Sequence, residues 1–304
     1  MTNNQTYHIA VLLAKSIEAL QIKEDGIYVD ATFGGGSHSR AIFDQLNQNG
    51  RLIVFDQDRD ARKNTWDAPN FDFVAANFAH LSNHLRSMRI DQVDGILADL
   101  GVSSHQFDEA SRGFSIRTEA ALDMRMNQSA ELSAKDVVNH HTEEELLRVF
   151  RNYGEISNAP KLVQAIAAFR SSYIIKSTTD LLEIAEKCAP KNKEHKYFAQ
   201  VFQAIRIEVN NEMGALEDFL KQCTNAIKPG GRLVVLSYHS LEDRMVKNFM
   251  KRGSITGHIE KDFYGNILKP FTEIVRHPIV PDDNELKENN RARSAKLRIA
   301  ERNG

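Results

Sequence analysis

Through the first hundred residues, short apolar runs rich in β-branched and aromatic residues alternate with stretches of helical apolar spacing. Ile27–Phe33, Arg51–Phe55, Phe71–Ala75 and Gly95–Leu100 read as strands. Ile9–Leu20, a segment with Ala41, Ile42 and Leu46 on one face, and Phe78–Met88 read as helices. Strands that alternate with helices predict a parallel sheet covered on both faces, with right-handed crossovers. The restriction extends to function, because ligands of such sheets bind outside the carboxyl ends of the strands.

The rhythm breaks after Leu100. Residues 101–135 read as irregular, and helices follow. Thr142 with Glu145 is a capping-box pattern, and its helix is expected to stop near Gly154. Pro160 suits the first turn of the next helix, Ser177 with Asp180 opens a third that Pro190 ends, and Tyr197–Val209 begins a fourth. The α/β signal then returns with a helical Glu212–Ile227, a Pro229-Gly230-Gly231 turn and a buried strand Arg232–Tyr238. Ser240 with Asp243 is the expected cap of the next helix, and Phe271–Val275 with Ala295–Ala300 predict a late antiparallel hairpin across a polar loop. At 304 residues the chain exceeds what one hydrophobic core usually serves. The expected organisation is a discontinuous sheet domain, 1–108 and 211–304, with an inserted helical subdomain at 109–210.

The segment Asp30-Ala31-Thr32-Phe33-Gly34-Gly35-Gly36-Ser37-His38-Ser39 sits where the first strand meets the first helix. Glycines there allow a tight turn and a close approach to a ligand, and the helix start offers free N–H groups. Asp56, at the end of the second strand, can accept from both hydroxyls of an adenosine ribose. That spacing suits NAD and S-adenosylmethionine alike, although the loop lacks the G-x-G-x-x-G order. Asp30 would repel a pyrophosphate, yet it could face an ammonium group. Asp99 emerges from the buried Ile96-Leu97-Ala98 run and could accept a proton or hydrogen bond from a substrate amine. The plainer readings are a glycine turn, a surface aspartate and a helix cap.

Composition narrows the classes further. Two cysteines, Cys188 and Cys223, exclude a disulfide framework or a C-x-x-C pair and fit a reducing compartment. Met1–His8 lacks the apolar run of a signal peptide, and no stretch approaches the roughly 18 apolar residues of a membrane span. A cytoplasmic protein with no membrane partner is expected. A net charge of −2 excludes a protein that grips nucleic acid with its whole surface. Three basic clusters remain: Lys187, Lys191, Lys193 and Lys196; Arg244, Lys247, Lys251 and Arg252; Arg291, Arg293, Lys296, Arg298 and Arg302. Each taken alone is most simply a solvated face. His80 and His84 lie one helical turn apart, but without the glutamate of H-E-x-x-H they read as surface histidines, and no metal site is expected.

Assembled in order, the motifs make the chain similar to the bacterial 16S rRNA (cytosine-N4)-methyltransferase family (RsmH/MraW). The resemblance runs nearly end to end. It includes Tyr28-Val29-Asp30-Ala31-Thr32-Phe33-Gly34, Asp94-Gly95-Ile96-Leu97-Ala98-Asp99-Leu100-Gly101-Val102-Ser103-Ser104, and Arg112-Gly113-Phe114-Ser115. It continues with Leu122-Asp123-Met124-Arg125-Met126, Phe202-Gln203-Ala204-Ile205-Arg206-Ile207, Val209-Asn210, His239-Ser240-Leu241-Glu242-Asp243-Arg244 and Asn290-Arg291-Ala292-Arg293-Ser294. The resemblance implies an α/β fold, a class I (Rossmann-like) S-adenosylmethionine-dependent methyltransferase sheet with an inserted helical subdomain that recognises substrate. It implies N4-methylation of a decoding-centre cytidine in 16S rRNA within the small ribosomal subunit, with S-adenosylmethionine as cofactor and no DNA partner. Its cofactor contacts carry over onto Gly36, Ser37, His38, Asp56, Phe78, Asp99 and Gln106. The chain departs from the family pattern at Gly35, where arginine is common, at Ser37, where glycine is common, and at His105, where proline is common. All three departures keep the backbone donors.

Cytosine N4 is a weak nucleophile, so an enzyme for this reaction must align it with the methyl group and hold the amine by an acceptor. Asp99 is the expected catalytic acceptor. Methylation at C5 would need a cysteine nucleophile, and neither cysteine follows a strand at the active edge. Tyr238 and His239 are candidates for contact with a flipped base, against the reading of a packed tyrosine and a hydrogen-bonded histidine. Lys191, Lys193, Lys196 and Arg206, with Arg291 and Arg293, are candidates for rRNA phosphate contacts. Two rival readings are an NAD(P)-dependent oxidoreductase on the same sheet and a non-catalytic RNA-binding protein with a methyltransferase-like fold. A mere binder would need neither the glycine loop nor Asp99.

Overall fold

A computed structural model of the chain describes residues 10–304. The polar Met1–His8 and the first residue of the Ile9–Leu20 run lie outside the described residues. In chain order, α1 (Leu13–Leu20), β1 (Ile27–Asp30), α2 (Ser37–Phe43), β2 (Arg51–Phe55), β3 (Phe71–Val74), α3 (Leu81–Ser87) and β4 (Val93–Asp99) realise the alternating pattern. There follow α4 (Ser104–Asp108), α5 (Ala134–His140), α6 (Glu143–Asn152), α7 (Ala159–Arg170), α8 (Thr178–Glu186) and α9 (Glu194–Asn210). The chain closes with α10 (Glu212–Ala226), β5 (Ile227–Ser237), α11 (Ser240–Arg252), β6 (Phe271–Glu273), α12 (Asp283–Glu288) and β7 (Lys296–Arg302). It divides into two compact units, one running to Gly101 and resuming at Met213, the other spanning Val102–Glu212.

The first unit is built on one seven-stranded sheet of order β3-β2-β1-β4-β5-β7-β6. β1 to β5 pair in parallel, while β7 runs antiparallel between β5 and β6. This is the Rossmann-like α/β arrangement. Successive strand residues face opposite layers, as the pleat requires. Val29, Ile53, Ile96 and Val235 pack with Leu85, Phe219 and Phe249 on one face. Tyr28, Leu52, Leu97 and Val234 pack with Leu20 and Ile42 on the other. The register pairs Asp30 with Val54 and Leu97, and Asp99 with Leu236, so the parallel strands end at a common edge. No helix among the described residues is long and apolar enough to cross a membrane.

The second unit has its own core, in which Val137, Val149, Phe150, Leu162, Ile166, Leu181 and Ile205 are fully buried. Thr142 and Glu145 close a capping box on α6, and Ser177 and Asp180 close one on α8, as their spacing predicts. Each such cap contributes about 1 kcal/mol.

Four local expectations are corrected. The stretch read as irregular contains α4 behind a Ser103–Gln106 capping box, and at its end α5 begins behind a Ser133–Asp136 capping box. The Pro229–Gly231 turn is an irregularity inside β5, where pairing with β4 jumps from Val93–Ile227 to Gly95–Arg232. α11 is capped by His239 with Glu242, one residue earlier than the Ser240–Asp243 pattern suggests. The late strands do pair antiparallel, but α12 and a 3-10 turn, Asn290–Ser294, fill the connection.

Candidate active site

The glycine loop is anchored on every side. Gly36 has φ 79°, a conformation that disfavours any side chain, and a Cβ there would come within 3.1 Å of the Phe33 ring. Gly34 donates its N–H to Asp56 Oδ2 at 2.8 Å, and its carbonyl accepts from Asn64 Nδ2 at 2.8 Å. Asp56 Oδ1 accepts from the Asp58 N–H at 2.8 Å. Burial raises the Asp56 carboxyl to about 6, against the pull of the two amides. Asp56 therefore sits where the pattern puts a ribose acceptor, and it also shapes the loop.

Asp30 does not face outward. It is fully buried, accepts from Ser39 Oγ at 2.5 Å and from the Thr32 N–H at 3.0 Å, and its carboxyl is pushed up by burial. Its work is to tie β1 to the first turn of α2. Thr32 Oγ1 in turn accepts from the Asp99 N–H at 2.6 Å, which joins the loop to the end of β4.

Asp99, like Asp56, is partly open, with 24% of its side chain exposed. Tyr238 Oη donates to its Oδ1 at 2.6 Å. His38 Nδ1 lies 3.7 Å from its Oδ2. Burial raises the Asp99 carboxyl, His38 and Tyr238 oppose the rise, and the charges of Asp30 and Glu242 add to it. Burial also holds the Tyr238 hydroxyl well above its usual range, and the Asp99 charge adds to that, so this donor keeps its proton. The His38 side chain is buried and its Nε2 has no hydrogen-bond partner among the described residues.

The remaining predicted residues take these positions. Phe78 opens a 3-10 turn after β3 and packs edge-on against Phe219, with ring centroids 5.1 Å apart. Gln106 is buried in the second unit, where its Oε1 accepts from the Ser103 N–H at 3.0 Å in a capping box. His239 caps α11, its Nδ1 accepting from the Glu242 N–H at 3.4 Å. Glu242 Oε2 accepts from the Tyr238 N–H at 2.9 Å and fixes the end of β5. Tyr238 and His239 also line a cavity of about 290 Å³ shared with Ser240, Arg293 and Lys296.

Among the candidate cations, Lys191, Lys193, Lys196, Arg291 and Arg293 are exposed. Arg206 is not, because it makes a two-pronged pair with Glu212 at 2.7 and 2.8 Å. Lys296 and Arg298 both bond Asp243, at 3.0 and 2.7 Å. Cys188 and Cys223 are buried, and burial pushes both thiols up. The pattern of strands and glycines could not reveal the roles of Thr32, Ser39 and Glu242, since each depends on a partner brought in by the fold.

The MraW methylase family matches residues 5–303 of the chain. A protein of Bacteroides thetaiotaomicron named ribosomal RNA small subunit methyltransferase H is 53% identical over 297 residues, covering 98% of this chain and 98% of its own. Proteins of the same name are 51% identical in Amoebophilus asiaticus, over 98% of this chain and 97% of that one, and 53% identical in Flavobacterium johnsoniae, over 99% and 100%.

Proposed function

The chain belongs to the MraW methylase family, and from that premise we propose that it methylates the exocyclic N4 of a decoding-centre cytidine in 16S rRNA, using S-adenosylmethionine. We further propose that it acts in the cytoplasm on the small ribosomal subunit. The observation that carries this reading is Asp99, a partly open carboxylate oriented by Tyr238 beside a fixed glycine turn.

The residues fit the cofactor. The Gly34–Gly36 turn leaves open space at Gly35, where an added Cβ would meet nothing within 4 Å, and two residues after the turn the buried His38 Nε2 is an orphan polar atom. Gly36, Ser37, His38, Asp56, Phe78 and Asp99 are the proposed contacts, with Asp56 receiving the ribose hydroxyls. Gln106 also stays among the proposed contacts on the family resemblance, since the Ser103 bond occupies only one lone pair of its amide oxygen. S-adenosylmethionine bound there supplies an electrophilic methyl group on its sulfonium.

The rest of the chemistry belongs to the chain. Asp99 accepts a hydrogen bond from the N4 amine, so that the nitrogen lone pair turns away from the ring toward the methyl group. As N4 takes the methyl group, the methyl–sulfur bond would break with its electron pair left on sulfur, and the then cationic N4 would lose a proton, which Asp99 can take or pass to water. Tyr238 holds Oδ1 from behind, leaving the open part of the carboxylate for the amine. A C5 route has no thiolate to start from, since both cysteines are buried with raised thiols. The sheet segments, expected at 1–108 and 211–304, form the proposed methyltransferase domain and the expected 109–210 the substrate-recognition subdomain, with 102–108 and 211–212 clustering in the helical unit. Exposed Lys191, Lys193 and Lys196, with Arg291 and Arg293, are the proposed phosphate contacts. An oxidoreductase or a mere RNA binder gains nothing from Asp99 and has no support in the family.

Mass spectrometry of rRNA nucleosides from cells lacking the protein tests the reading. N4-methylcytidine should disappear and return with the wild-type gene but not with Asp99→Ala. Unchanged N4-methylcytidine in the deletion strain would end the proposal.

A further inference from the structure

Between α11 and β6 the chain builds an exposed arm that the crevice does not use. Lys261 and Ile267 form an antiparallel bridge, the Asp262 N–H donates to the Asn266 carbonyl at 2.9 Å, and the Leu268 N–H donates to the Glu260 carbonyl at 2.9 Å. Asp262 locks the tip. Its Oδ1 accepts from the Tyr264 and Asn266 N–H groups at 2.9 and 2.8 Å, its Oδ2 accepts from Asn266 Nδ2 at 2.9 Å, and Gly265 turns at φ 88°. What this built turn presents to solvent is Phe263, 98% exposed, and Tyr264, 86% exposed. Their rings stand 5.7 Å apart and nearly perpendicular.

The arm rests on the end of α11, where Arg252 Nη1 donates to the Gly257 carbonyl at 2.9 Å and Asn248 Nδ2 donates to the Ile255 carbonyl at 3.4 Å. Arg244, Lys247 and Lys251 lie on one face of α11 at helical spacing, and all three are exposed. Lys261 is exposed and Lys269 half-buried on the two strands of the hairpin. The acids within the hairpin are Glu260 and Asp262, and the Asp262 carboxylate, held below its usual range by the donors of the turn, is engaged by that turn. A row of cations thus leads to two unburied rings on a rigid support.

We infer that the outer face of α11 and the Phe263–Tyr264 tip form a second RNA-contacting surface, separate from the methyl-transfer crevice. Its cations follow the phosphates, and its two rings stack on unpaired bases of the substrate. This rests on the ribosomal RNA reading and adds a surface to it. Single-stranded RNA is gripped by this combination of basic track and aromatic faces. The centres of protein interfaces, by contrast, are depleted of lysine.

The test uses the full-length protein, purified small ribosomal subunits and S-adenosylmethionine. Phe263→Ala with Tyr264→Ala should raise KM for the subunit by roughly tenfold per ring. kcat at saturating subunit and calorimetric cofactor affinity should not change. Exchanging the rings, Phe263→Tyr with Tyr264→Phe, should keep wild-type KM because the stacking faces remain. Lys247→Ala and Lys251→Ala should each lower the salt slope of subunit binding by about one. An unchanged KM in the double alanine variant overturns the inference. So does an unchanged KM accompanied by lost self-association in light scattering, which would assign the tip to a second copy of the chain. A wild-type protein that methylates no rRNA cytidine would sink the functional reading instead, whatever the arm variants do.

Discussion

The acids at the carboxyl edge of the sheet and the acids of the helical unit are held by opposite means. At the carboxyl edge of the sheet, Asp30, Asp56 and Asp99 take hydroxyl and amide donors, and no lysine or arginine among the described residues pairs with them. Burial raises all three carboxyls. In the helical unit, Glu208 pairs with Arg148 at 2.5 Å, Glu212 with Arg206 and Asp123 with Arg125 at 2.7 Å. Asp136 and Glu145 there cap helices, and the Ser133 and Thr142 donors pull their carboxyls down. The helical-unit acids named here are neutralised or capped. At the sheet edge Asp30 is spent on tying β1 to α2, whereas a partly open Asp99 left without a cation is the pattern of an acid whose protonation chemistry is used.

The contrast breaks most visibly at Asp99. Asp99→Ala should lower kcat at saturating cofactor by about 10²- to 10⁴-fold, the usual worth of a positioned acceptor, beyond any loss of calorimetric cofactor affinity from the missing contact. Near-normal turnover would return Asp99 to the architectural class. Asp56 gives the next largest effect. Its folded value of about 6 exceeds the ordinary 3.8. Between those values the folded chain holds a proton that the unfolded chain has lost, so stability falls as pH rises through the window. The loss amounts to about 3 kcal/mol and persists above pH 6 or so. Urea unfolding of wild type and Asp56→Asn at about pH 4 and about pH 7 isolates it, since the wild type should weaken relative to the variant as pH rises. A difference independent of pH would mean that Asp56 is compensated like the acids of the helical unit. Arg206→Ala should do the reverse of Asp99→Ala. It should cost about 2 kcal/mol of stability by stranding a mostly buried Glu212, with no change in the salt slope of subunit binding. A lowered slope would make Arg206 a phosphate contact after all.

How far the sequence foretold this depends on the range of each interaction. β2 was legible to the residue and β3 and β4 nearly so, because a covered strand writes its burial into consecutive apolar residues, whereas β1 was read three residues too long and the first five residues of β5 were read as helix end and turn. The caps at Thr142 and Ser177 were legible because both partners lie within one helical turn. The Ser133–Asp136 cap carries the same local signal but stands in a stretch without apolar period, so α5 was missed. His239 is an unusual cap, and the more familiar Ser240 beside it drew the expectation one residue too far. Asp99 and Asp56 could be placed at strand ends. The partners that tune them could not, since Tyr238 reaches Asp99 across 139 positions of chain. Arg206 shows the same limit in the opposite sense, since its charge suggested a phosphate and only the fold reveals Glu212. The exposed rings of Phe263 and Tyr264 leave no periodic trace, because nothing in their spacing says which way a turn will aim them.

The smallest predicted effect is also the most diagnostic of how the crevice acid is tuned. Asp99 is faced by His38 from α2, Asp30 from β1, Tyr238 from the end of β5 and Glu242 from α11. The Tyr238 donor stabilises the ionised carboxylate, so Tyr238→Phe should raise the Asp99 carboxyl further. A hydrogen bond to a charged group is worth about 1.5 kcal/mol or somewhat more, which corresponds to about one pH unit. Activity that needs ionised Asp99 should then lose its acid limb at a pH about one unit higher, with the plateau at higher pH kept within a few-fold. Tyr238 itself does not titrate in that range, because burial and the Asp99 charge hold its proton. Single-turnover rates across the pH range separate the outcomes. A shifted limb with a preserved plateau makes Tyr238 a positioning residue that acts through Asp99. A uniform loss at every pH would mean that its ring touches the base, and an unmoved limb would mean that burial and His38 set the carboxylate without it.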